Sequence, residues 1–256
     1  MNEHTSKKFD AELEGIRTRV LQMGGMVELQ IVKAMEGLSE GDLLLIDQVI
    51  ENDNRVNHLE IELDEACNQV IAKRQPTAVD LRMISTVQKT ITDLERIGDE
   101  AKKIAKIAKQ LHTSSSQFMP QIRLGHIADA VVDMLRNALD AYARLDTISA
   151  AQVVRQDKDV DAEFKGIMRQ LITYMIEDPR TISHAIDLMF VAKSVERIGD
   201  HAKNIAEYVV FMVGLTVMDA VVAPLLQRKV VPPLAVRVVL SPLQIVLVPV
   251  MPTVMG

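Results

Sequence analysis

The string ERIGD occurs twice in this chain, at 95–99 and at 196–200. It sits inside a longer correspondence, in which LERIGDEAKKIAK (94–106) falls on VERIGDHAKNIAE (195–207) at an offset of 101. Further upstream the offset is 104: Val27, Ala34, Asp42, Val49, Asp53 and Val56 fall on Val131, Ala138, Asp146, Val153, Asp157 and Val160. Chance identity of helix surfaces does not produce this, so the chain is read as a duplication of one unit.

The repeated unit is helical. Pro76, Pro120 and Pro179 are the only prolines in residues 1–213, and each falls at a break in apolar periodicity. Six long helices are expected, at approximately 8–39, 43–73, 80–111, 122–144, 149–176 and 181–212. The stretch HTSSSQFMPQ (112–121) alone has linker composition. The expected fold is therefore all-α: two tandem, repeat-related three-helix bundles at 1–113 and 121–213, joined by a linker at 114–120 and followed by an atypical tail at 214–256. Composition agrees. Hydrophobic residues make up 48% of the chain, which excludes full disorder, and aromatics only 3%, which leaves Met, Leu, Ile, Val and Ala to fill the core.

The packing seam can be read from spacing. Ile84, Val87, Ile91, Leu94, Gly98, Ala101, Ala105 and Ala108 alternate by three and four residues. Ala185, Leu188, Ala192, Val195, Gly199, Ala202, Ala206 and Val209 repeat the pattern. This is the stripe of a left-handed bundle. A mid-helix glycine costs about 1 kcal/mol against alanine, so Gly98 and Gly199 are expected at a close helix approach.

Beside the seam lie four pairs of oxygen-bearing side chains spaced four apart: Asp53 with Asn57, Glu95 with Asp99, Asp157 with Asp161, and Glu196 with Asp200. Like charges at this spacing are destabilising by a few tenths of a kcal/mol. Pro76 lies 23 residues from both Asp53 and Asp99, and 19 from both Asn57 and Glu95. Around Pro179 the separations are 22 and 21 for Asp157 and Asp200, then 18 and 17 for Asp161 and Glu196. Each half is thus expected to assemble an oxygen-rich cluster from two adjacent helices. Such a cluster needs protonation, Arg or Lys, or a cation. Oxygen donors favour hard divalent or trivalent ions such as Mg, Mn, Ca or Fe over a thiolate zinc site. The bland alternative is a solvated face paired with Arg55, Arg96 or Arg197. A ferritin-like di-iron enzyme would need Glu-x-x-His motifs, and the chain has none.

These residues carry a resemblance. The duplicated three-helix unit, the twin ERIGDxAKxIA strings and the motifs DNRVN (53–57) and DKDVD (157–161) resemble the PhoU family of phosphate-specific transport accessory proteins. The resemblance covers roughly residues 1–213. It implies metal ions at the paired acidic motifs, with Mg, Mn or Fe the most plausible, and Asn57 a conservative departure. It also implies regulation rather than catalysis: repression of the phosphate-starvation regulon, through contacts with the ATPase subunit of the phosphate ABC transporter and with a phosphate-sensing histidine kinase. A homodimer, associated with the membrane only through its partners, is implied as well. The alternative is a helical adaptor that works without metal.

Other features exclude more than they assign. A net charge of −6 gives no footprint for nucleic acid. Cys67, the single cysteine, rules out an intramolecular disulfide and is expected in the core. The methionines at 23, 26, 83, 168, 175 and 189 fall within apolar stripes and are expected to pack there. The histidines (His4, His58, His112, His126, His184 and His201) form no catalytic spacing that recurs between halves, and no glycine-rich phosphate loop is present. A polar N-terminus without a signal peptide points to the cytoplasm. Residues 214–256 hold six of the nine prolines and one acidic residue, Asp219. The family pattern stops at Gly214, for which a frameshift or altered ending is the expected explanation. Pro242, Pro249 and Pro252 interrupt the tail's last apolar run, so a loosely structured ending is preferred to a membrane span.

Overall fold

The structure is a computed structural model that describes residues 3–76, 78–113, 120 and 122–213, with side chains from residue 9 onward apart from 78 and 79. The expectations placed on 114–119 and on the tail lie outside these residues. Six helices follow one another: α1 (Glu3–Glu40), α2 (Leu43–Arg74), α3 (Ala78–Thr113), α4 (Gly125–Arg144), α5 (Thr147–Glu177) and α6 (Ile182–Val213), with a 3-10 turn at Pro179–Thr181 before the last. The described residues all fall within one compact unit. Helices α1–α3 pack on one another, α4–α6 do the same, and α3 lies along α6 to join the two repeats. No described helix is long and apolar enough to cross a membrane.

The hairpin turns show the duplication in their chemistry. Asp42 caps α2 by accepting from the backbone N–H groups of Leu44 and Leu45, and Asp146 caps α5 through Ile148 and Ser149. These repeat-equivalent caps satisfy amides at a helix N-terminus that would otherwise lack partners. The Asp146 cap explains why α5 starts at Thr147, two residues before the periodicity suggests. Helix α4 starts three residues late, at Gly125; Leu124 before it offers no side-chain cap. Each Asp follows a residue in the left-handed region, Gly41 (φ 74°) in one repeat and Leu145 (φ 54°) in the other.

Every residue of the two expected seams is buried. In α1 the stripe is Leu13, Ile16, Val20, Met23, Val27, Ile31, Ala34 and Leu38. Cys67 is fully buried, and burial pushes its thiol up to about 12, which makes it inert as a nucleophile. Of the methionines at 23, 26, 83, 168, 175 and 189, only Met23 is in the core; the other five are half-buried.

A second buried stripe, which the periodicity analysis does not separate from the first, runs along α3 through Thr86, Thr90, Asp93, Ile97, Glu100 and Ile104. It faces α6 and holds the repeats together with polar ties as well as apolar ones. Asp93 accepts from Asn204 (3.2 Å) and lies 2.6 Å from His201 Nδ1. Buried Glu100 pairs with Arg197 and Lys103, each at 2.9 Å. Burial and the adjacent Asp93 hold the Tyr208 phenol well above its usual range. Between α1 and α4, Arg136 pairs with Glu28 at 2.7 Å, and Arg17 donates to the carbonyl of Ala143 at 2.8 Å.

Candidate functional site: twin carboxylate–lysine clusters

Both clusters lie where the second and third helices of a repeat meet. In the first, Asp53 of α2 is completely buried. Lys102 of α3 donates to its Oδ2 at 2.6 Å, and Asn57 Nδ2 lies 3.5 Å from the same oxygen. Asp99 and Glu95 lie on α3 one and two turns before Lys102, respectively, both half-buried. Burial raises the Glu95 carboxyl above its ordinary value, and Asp99, Glu60 and Asp53 add to the rise while Arg96 opposes it. Lys102 is raised as well, mainly by its hydrogen bond to Asp53, with the charges of Asp53, Asp99 and Glu95 assisting. The cluster therefore makes Glu95 a weaker acid than a free carboxyl and holds the Lys102 charge more firmly than a free amine.

The second cluster repeats this pairing. Lys203 of α6 donates to Asp157 Oδ2 at 2.5 Å. Burial works against the Lys203 charge, but the hydrogen bond and charge of Asp157, with Asp200 and Glu207, outweigh it and raise the group. Asp161 and Asp200 are half-buried nearby on α5 and α6. Glu196 is drawn to Lys193, one turn before it on the solvent side.

The eight expected residues thus divide. Asp53 and Asp157 are the buried anchors, Asn57 touches Asp53, and Glu95 and Asp99 contribute field. Neither Arg55 nor Arg96 is the cation on Asp53, and Arg197 is engaged with Glu100. The sequence reading missed Lys102 and Lys203, although both stand at equivalent positions in the twin strings. It also missed Gln30 of α1, which is 4% exposed and whose Oε1 and Nε2 have no hydrogen-bond partner among the described residues. Asp53 Oδ1 and Asn57 Oδ1 are likewise buried and unpartnered there.

Gly98 sits at the close approach expected of it, whereas the space at Gly199 would take a Cβ in ordinary contact. A Cβ on Gly98 would lie 3.2 Å from Gln30 Oε1, 3.5 Å from Val56 and 3.6 Å from Asp53 Oδ1. On Gly199 it would meet Val131 at 3.4 Å and Val160 at 3.6 Å. In this arrangement, no group of three or more His, Cys, Asp or Glu side chains among the described residues is placed to hold a metal ion. The cation at each buried aspartate is an ammonium.

A duplicated three-helix module with a buried aspartate–lysine pair in each copy defines an all-α repeat protein. Comparison with known proteins narrows the class. A family model described as "PhoU domain" matches residues 20–108 and again 124–209, and the chain belongs to that family. It is 48% identical over 214 residues to the phosphate-specific transport system accessory protein PhoU of Escherichia coli (strain K12), covering 83% of this chain and 88% of that one. It is 46% identical over 213 residues to the PhoU homolog of Pseudomonas putida, covering 83% of each. The crystal structure of PhoU from Pseudomonas aeruginosa superposes with a TM-score of 0.77 at 46% identity, covering 80% of this chain and 98% of that one. The named relatives are accessory proteins, and as a member of their family this chain is not an enzyme.

Proposed function

We propose that the chain regulates phosphate signalling and uptake. It couples the phosphate ABC transporter, through its ATPase subunit, to a phosphate-sensing histidine kinase, and represses the starvation regulon when phosphate is plentiful. The observation that carries this is the 48% identity to a named transport accessory protein, spread over both repeats rather than confined to one. In this account the protein is a cytoplasmic homodimer that reaches the membrane through its partners. The test is retention of the purified ATPase subunit and of the kinase's cytoplasmic part on the immobilised full-length chain. Binding of both is expected; binding of neither contradicts the coupling role.

The clusters are further proposed as sites for a hard cation. Buried, unpartnered oxygens on Asp53, Asn57 and Gln30 support this in the first repeat, and oxygen donors suit Mg, Mn or Fe. Asp53, Asn57, Glu95 and Asp99 would hold it there, and Asp157, Asp161, Glu196 and Asp200 in the second repeat. A bound ion would neutralise the carboxylates in place of lysine. The second reading, an adaptor that works without metal, is favoured by the ammonium groups already on Asp53 and Asp157. Melting curves with and without added manganese separate the two: a rise supports the cation site and no change supports the adaptor.

A further inference from the structure

We propose that the two clusters are not equivalent, and that Gln30 makes the first the tighter cation site by adding an amide oxygen from a third helix. The inference rests on the cation reading above. At Gly98 the absent side chain lets α1 and α2 turn oxygen toward one point on α3: Gln30 Oε1 and Asp53 Oδ1 both face the space a Cβ would fill. At Gly199 the same space is met by two valines. The residue 104 positions after Gln30 is Met134, which is 1% exposed. The second repeat thus shows that the fold accepts an apolar side chain here.

A buried amide without partners costs about 1–3 kcal/mol, so packing alone gives no reason to keep Gln30. Glu60 strengthens the contrast. It adds negative field to Glu95, and its repeat equivalent is Phe164, whose ring carries Lys193 instead. Besides Lys102, the first cluster therefore offers carboxylate, Asn and Gln oxygens from three helices. The second offers carboxylates from two helices, with Lys203 on Asp157 and the buried, apolar Met134 at the position equivalent to Gln30. A pocket of about 130 Å3 between α1 and α2 reaches Gln30 past Asn52. Lys33 and Arg55 also line it, so an ion entering this way passes two positive charges.

Manganese titration of the full chain, followed by the electron paramagnetic resonance of free ion, reads the difference directly. Two classes of site are expected. Gln30→Met, close to isosteric and already tested by nature at Met134, should weaken the tighter class by about tenfold or more and leave the weaker one unchanged. Asp157→Asn should remove only the weaker class. Melting temperature of each variant in the absence of metal confirms that it folds. A single class of equivalent sites, or a tighter class that survives Gln30→Met, overturns the inference while leaving the cation reading intact. If no manganese binds, the cation reading fails and the inference falls with it.

Discussion

Lys102 Nζ lies 2.6 Å from Asp53 Oδ2, and this one contact ties the third helix of the first repeat to a carboxylate with no solvent exposure. Lys203 and Asp157 make the same tie 101 and 104 residues later. The pair is therefore a property of the repeated module rather than of one copy. Removing one partner of such a pair leaves the other charge buried and alone, which is far more costly than removing both.

Lys102→Met should therefore lower stability by about 2–3 kcal/mol, somewhat below the fully buried range because the lysine is a quarter exposed. Combining it with Asp53→Asn should recover much of the loss. Urea denaturation of the two single variants and the double variant measures this. Simple additivity of the single effects would show that the pair is not coupled.

The pH dependence follows from two raised groups. Glu95, raised by burial and by Asp99, binds its proton more tightly folded than unfolded, so its contribution is present at low pH and is lost as pH climbs from 4.5 through its folded value. Glu95→Gln should make the protein more stable at neutral pH and no more stable at pH 4. Lys102 acts at the other end: its contribution is full below 10.5 and lost as pH rises through its folded value. The stability gap between the wild-type chain and Lys102→Met should close in alkali. Thermal melts across pH read both effects.

Much of this arrangement is legible in the sequence. The repeat gives the two bundles, the three-four spacing gives seams that are buried throughout, and Gly98 marks a close approach. The lysines are harder to read, because the arginines Arg55, Arg96 and Arg197 stand closer to the carboxylates in sequence. Yet Lys102 follows Asp99 by three residues and Glu95 by seven, on the same face of α3, and Lys203 repeats both spacings. The inter-repeat stripe of Thr90, Asp93, Ile97, Glu100 and Ile104 escaped because it mixes charge with apolar residues, and only the partners on α6 make it a core. Gln30 could have been found by asking where equivalent buried positions differ in polarity.

The glycines should respond differently to substitution. Gly199→Ala places a methyl in ordinary contact with two valines and should gain up to about 1 kcal/mol in helix propensity. At Gly98 the new methyl is tight against Gln30, so Ala should be close to neutral. Gly98→Val should cost about 1–3 kcal/mol by overpacking. Val tolerated as well as Ala in melting temperature would contradict the close helix contact.

Leu145 offers a test of the repeat at the level of backbone. Its left-handed conformation is the one Gly41 adopts in the other copy. A side chain there costs about 1–2 kcal/mol. Leu145→Gly should therefore stabilise the chain by about 1 kcal/mol, less if the added freedom of the unfolded chain offsets the relief. Chemical denaturation decides the sign.

The central claim, that this chain regulates the response to phosphate, is tested most directly by a starvation-gene reporter in phosphate-rich medium. A deletion strain should show high expression, and reintroducing the full chain should return it to low. Low reporter activity in the deletion strain at high phosphate would contradict the regulatory account.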